Sequence, residues 1–281
     1  MAKNAWPGRG GERDQRLKPM IELADAALQE WEPSAAMVDG LREWVTQDTV
    51  HADPDGHRIG VKASNWAGVA APYWPQVLGD ADEWLPVTRR DLFDLADTSR
   101  DGSWMPLFSA TFAWGYGNVG YGPSRLRAIL KNNDAEHIER KLTDAVEALS
   151  SEGAKAAYSV LRPWRSNVVW GFGPAFFSKF LYFAGWRMDV PGPKPLILDA
   201  QVAASIRLIA EPVYTRAGID QDMASWLWPT SNWWGHRYGQ YIELVHRVAS
   251  LLPSDLPSRP DVLELALFDG RLRKTGVWDL T

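Results

Sequence analysis

The stretch Val168-Val169-Trp170-Gly171-Phe172-Gly173-Pro174-Ala175-Phe176-Phe177-Ser178-Lys179 constrains the fold of this chain more than any other. Two glycines one residue apart permit a sharp reversal. Pro174 behind them suits the first turn of a helix, where its missing N–H is not needed. The stretch therefore predicts a helix, a tight G-x-G hairpin and a second helix. That second helix carries Lys179 on an apolar face among Phe176, Phe177, Phe180, Leu181 and Phe183. A Pro/Gly loop follows, and Asp199 stands directly before another helical run, Ala200 to Arg207.

Elsewhere the apolar spacing is helical. Leu17, Met20/Ile21, Ala24, Ala27/Leu28 and Trp31 form one stripe from Asp14 to Trp31, and Ser34 caps a helix from Ala35 to Thr46. Four prolines make 48–86 irregular, with a short extended piece near Ile59 to Ala63. Thr88 caps a helix through Leu95, and 97–123 reads as a second loop-rich segment. Helices follow at Ser124–Lys131, Ala135–Leu149, Glu152–Leu161, Trp233–Leu252 and Pro260–Phe268. Long strand-like alternation is missing. The expected fold is all-α or nearly so, with a small sheet allowed in the N-terminal third. Three segments are expected: a disordered 1–13, a helical and loop-rich lobe over 14–123, and a helical lobe over 124–281 that holds the hairpin, Lys179 and Asp199.

The chain has no cysteine, which removes disulfides, thiolate metal sites, iron–sulfur clusters and thiol catalysis. Met1–Lys18 is polar and rich in Gly and Arg, and no window of 18 apolar residues occurs, so neither a secretion signal nor a membrane anchor is expected. A cytoplasmic location is expected. The net charge of −5 speaks against bulk electrostatic coating of nucleic acid. Local phosphate contacts remain open, since backbone amides bind anions without formal charge. Arg162, Arg165, Lys179, Arg187 and Lys194 bias the hairpin region positively. Sixteen tryptophans exceed what a core of this size uses, and flat π-faces suit stacking on bases or sugars. Trp114 falls in the aromatic, Gly-rich segment Phe112–Asn118, expected as a loop where an indole could stack on a flipped base. The five histidines lack the spacing of a metal site, and His51, His57, Asp53 and Asp55 read as a solvated turn.

The hairpin, the lysine and the aspartate-capped helix together resemble the helix-hairpin-helix DNA glycosylases, in particular their 8-oxoguanine branch, over roughly residues 137–252. The resemblance implies a two-lobed helical fold acting on duplex DNA with a flipped modified base, with no cofactor and no metal, as a monomer. It assigns a DNA phosphate to Gly171, Gly173 and the helix start at Ala175. It gives Asp199 the stabilisation of a sugar that gains positive charge as its base leaves. It makes Lys179 the group that attacks the sugar carbon. Bifunctional members carry their lysine where Ala175 stands here, and Lys179 lies one helical turn further on. Burial among aromatics disfavours a charged amine and so favours a nucleophile. The resemblance also points to Trp233 and Trp234 for the base pocket, and the lack of cysteine excludes the iron–sulfur branch. Structural alternatives stand beside each residue: a plain helix–turn–helix, an ordinary N-cap aspartate, and a lysine packing its stem on aromatics. Three functions remain open. They are excision of an 8-oxoguanine-like lesion, with or without strand cleavage at the abasic site; excision of a hypermodified cytosine such as glucosylated hydroxymethylcytosine from phage DNA; and non-catalytic binding of DNA or carbohydrate.

Overall fold

A computed structural model describes residues 12–162 and 168–270. The expectation for residues 1–11 and the position of Arg165 lie outside the described residues. Caps fix several helix starts. The Ser34 hydroxyl accepts from the Met37 amide and opens α2 (Ala35–Gln47) behind α1 (Glu12–Glu30), and α3 (Thr49–Ala52) follows. Helix α1 thus begins at Glu12, two residues inside the segment expected to be disordered. Strands β1 (Arg58–Lys62) and β2 (Trp84–Thr88) pair antiparallel around α4 (Ser64–Ala70). Thr88 and Asp91 form a reciprocal capping box that starts α5 (Arg89–Ser99).

The expectation of a loop over 97–123 is corrected. Met105–Tyr116 is a helix, α6, and everything from Met105 to Trp114 except Pro106 is buried. A helix that is apolar on all sides shows no amphipathic period, so its sequence looks unstructured when it is in fact enclosed. Of the glycines that suggested a loop, Gly115 lies inside the helix and Gly117, with φ +52°, ends it. Then come α7 (Gly122–Asn132), α8 (Ala135–Glu152), α9 (Ala154–Leu161), α10 (Pro174–Gly185), α11 (Ala200–Arg216), α12 (Asp222–Leu227), α13 (Gly235–Leu251) and α14 (Pro260–Asp269). The fold is mainly helical with one two-stranded sheet among the described residues. None of these helices is long and apolar enough to cross a membrane.

The chain forms two compact units, one made of the residues up to Pro54 and from Leu196, the other of 55–195. The division therefore does not fall at 123/124. Patterns along the chain are blind to pairing between its two ends, and the first unit is built that way. Gln29 Nε2 donates to the Gln240 carbonyl at 3.0 Å, Trp44 Nε1 donates to Asp269 at 2.8 Å, and Asp25 meets His236 and Arg237. The second unit packs α5, α6, α8 and α9 around α10.

Candidate active site

In the unit of 55–195, Trp170 and Gly171 form the turn and α10 begins behind Gly173. Gly171 has φ +81°, and a β-carbon there would stand 2.8 Å from Ile129 Cγ1. Only glycine suits both the conformation and the close approach to α7. The expected helix over Val168 and Val169 is not formed. Among the described residues the preceding helix is α9, which ends at Leu161, and Val168–Val169 lead into the turn without helical structure. Two β-branched residues beside a Trp-Gly turn give little local reason for a helix.

The turn is gripped by α7 and the residue that ends it. Asn133 accepts the Trp170 N–H at 2.7 Å and donates to the Trp170 carbonyl at 3.0 Å, while Arg125 donates to the Gly171 carbonyl at 3.3 Å. The Gly173 carbonyl takes the amides of Phe176 and Phe177. Among the described residues the amides of Gly171, Gly173 and Ala175 have no protein acceptor, and a β-carbon at Gly173 would meet nothing within 4 Å. Three unmatched donors around a twelve-residue helix start form an arrangement suited to an anion.

Lys179 lies one turn further along α10, 7% exposed. Its stem crosses α6 at Gly115, where a β-carbon would stand 3.2 Å from Lys179 Cδ and 2.7 Å from Phe176 Cε1. Its Nζ is 5.9 Å from the centre of the Phe176 ring, and that ring stacks on Phe112 at 4.3 Å. The sequence reading gave Phe176 no role beyond that of one apolar neighbour of Lys179. Its position three residues before Lys179, on the same helical face, was the available signal.

Asp199 belongs to the other unit. It is half-buried, and its Oδ1 accepts from the amides of Gln201 at 3.0 Å and Val202 at 3.2 Å, capping α11. The segment before it is buried and tied to α13. The Tyr238 hydroxyl donates to the Leu196 carbonyl and accepts its N–H, and the Tyr241 hydroxyl donates to the Ile197 carbonyl at 2.7 Å. Complete burial pushes the Tyr238 hydroxyl well above its ordinary range, so it serves as a neutral hydrogen-bonding group. Nothing in the tyrosines' own sequence context marks this anchoring. In the same unit Trp233 is 2% exposed and donates to the Pro229 carbonyl, and half-buried Trp234 is the N-cap of α13, which begins at Gly235.

Trp114 sits inside α6 and is 5% exposed, with Arg89 over its ring and His57 and Phe183 against it edge-on. It is a core residue of its unit and not a loop platform. An indole with an open face is instead found at Trp84. It lies across Gly60, whose β-carbon would be 3.5 Å from Trp84 Cε3, and it lines a cavity of about 280 Å³ with Trp66, Asn65, Asn118, Ser124 and Arg127. An exposed strand tryptophan beside a glycine on the neighbouring strand was its sequence signal. Among the described residues no group of three acidic, histidine or cysteine side chains is placed to hold a metal ion.

Residues 52–268 match the model of a family described as putative 8-oxoguanine DNA glycosylase OGG-like protein. That match takes in both strands, the hairpin, Lys179, Asp199 and all but the last residue of α14. No curated protein and no solved structure matches the chain. The chain belongs to this OGG-like family, which points to a DNA glycosylase with DNA as its substrate.

Proposed function

We propose that the protein is a DNA glycosylase that excises a modified base, of the 8-oxoguanine type, and that it acts as a monomer. The observation that carries this is the hairpin: three amides without acceptors among the described residues, at Gly171, Gly173 and Ala175, precede a buried lysine on α10. A phosphate of the target strand accepts from these amides. Lys179 in its unprotonated form attacks C1′, the N-glycosidic bond breaks, and the electron pair leaves with the base, which takes up a proton. Loss of the remaining amine proton and opening of the sugar give an imine. Removal of a C2′ proton then expels the 3′ phosphate and nicks the strand. Asp199 stabilises the positive charge that develops on the sugar, a role supported by the resemblance and by its place at the start of α11.

One observation favours a second reading, excision of glucosylated hydroxymethylcytosine from phage DNA. The open indole face of Trp84 and the neutral polar side chains of Asn65, Asn118 and Ser124 suit a hexose.

Duplexes carrying 8-oxoguanine, uracil, alkylated adenine or glucosylated hydroxymethylcytosine, incubated with the protein and borohydride, test both readings. A covalent adduct on the first substrate supports lesion repair, and one on the last supports the phage substrate. Binding to DNA with excision of none of the four bases leaves a non-catalytic module.

A further inference from the structure

The hairpin also presents an apolar surface. Trp170 is 51% exposed and Val168 is 52% exposed, although tryptophan is ordinarily among the more buried residues. The backbone that carries this indole is held at several points. Asn133 holds both the N–H and the carbonyl of Trp170, and the next carbonyl, that of Gly171, accepts from Arg125. The Arg125 guanidinium also lies 5.8 Å from the centre of the Trp170 ring. An aromatic with two side-chain torsions on a backbone held in this way has little left to order on binding, so it is suited to contact. A cation beside it selects a partner that joins negative charge to apolar surface.

A DNA strand alternates these two features, as phosphate and deoxyribose. The bases lie further in, within the stack, so the apolar surface nearest a bound phosphate is the C–H face of its sugar. We propose that Trp170 lies against the deoxyribose adjoining the phosphate held by the hairpin amides, as an apolar contact independent of base identity. This inference rests on the DNA-binding part of the proposed function and adds a residue and a type of contact to it.

The test uses the full chain and an undamaged duplex, with the dissociation constant measured across a series of salt concentrations. Trp170→Ala should weaken binding about tenfold at every salt concentration. The slope of log affinity against log salt should stay unchanged, since a sugar contact releases no counterion. Trp170→Phe should retain most of the affinity. Melting temperatures should agree for all three proteins, because the indole is exposed. Affinity equal to wild type in Trp170→Ala overturns the inference and leaves DNA binding standing. So does a loss accompanied by a shallower salt slope, which assigns the damage to the phosphate grip. A change of oligomeric state with DNA affinity intact assigns the indole to a second copy of the chain and overturns it too. A wild-type protein that binds no duplex overturns the DNA reading itself.

Discussion

Lys179 passes over Gly115 so closely that a single methyl group at Gly115 would stand 3.2 Å from Lys179 Cδ. The same methyl would be 2.7 Å from Phe176 Cε1, a separation that real β-carbons do not keep. Gly115→Ala should therefore shift the aromatic ring and the lysine stem together. The expected result is a fall of about tenfold or more in the rate of borohydride trapping, with duplex affinity unchanged, since small displacements of a reacting group cost this much. Smaller side chains at Phe176 should restore part of the rate: the double variant Gly115→Ala with Phe176→Leu is expected to trap faster than Gly115→Ala alone. Equal rates for wild type and Gly115→Ala would show that the lysine's path does not matter to the chemistry.

Removing the amine should abolish the covalent adduct. Lys179→Gln is expected to lose both trapping and strand nicking while keeping duplex affinity within about twofold, because the phosphate grip resides in the backbone. A variant that still traps identifies another amine as the nucleophile. If wild type excises the base and never traps, water is the nucleophile and Lys179 is a packing residue.

Asparagine at position 199 can accept the same two amide hydrogen bonds while carrying no charge. Asp199→Asn is therefore expected to change stability by only a few tenths of a kcal/mol, within the spread among good N-caps. Single-turnover excision should fall by about 10²- to 10³-fold, the scale seen when one electrostatic stabiliser of a transition state is lost. Wild-type turnover in this variant would reduce Asp199 to a helix cap.

Acid should reveal the network that joins α1 to α13. Burial pulls the Asp25 carboxyl upward, but the hydrogen bonds and charges of His236 and Arg237 outweigh it and hold the group below the usual carboxylate range. A carboxyl depressed in the folded state contributes stability that is fully present above its unfolded value, about 3.9. That contribution is lost as the pH falls through the lower folded value. Asp25→Asn should cost about 3 kcal/mol at pH 7, because it leaves the buried Arg237 without its counter-charge. Urea unfolding at pH 7 and at pH 3 checks this: the gap between wild type and variant should narrow at the lower pH. A gap of constant size would assign the cost to lost hydrogen bonds and not to charge.

Much of the fold was legible wherever a helix showed one wet and one dry face. Helices α2, α5 and α8 carry their caps and stripes in the open, α7 its stripe, and the sequence places each of them within a few residues. Helix α6 was not legible, because complete enclosure erases the alternation that marks a helix. The two-unit division was hidden for a different reason. The partners of α1 and α2 lie some two hundred residues downstream, at Asp269 and around Arg237, and no local pattern records such a pairing. At the candidate site the glycines and Lys179 could be read, since turn chemistry and an isolated cation in an apolar run are local signals. Asn133, Tyr238 and Tyr241 could not, because each acts by reaching backbone groups far along the chain.

The unit assembled from both ends of the chain sets an order of events during translation. Residues 55–195 are contiguous and can close their core while the remainder is still being made. Helices α1 and α2 leave the ribosome before residues 55–195 and must wait for partners made after them. Ile21 and Leu28 are buried residues of α1, which packs against α11 and α13, and they stay uncovered until those helices exist. These helices are thus made before residues 55–195 and buried after them. During that interval they offer a persistent target for a chaperone, or for aggregation.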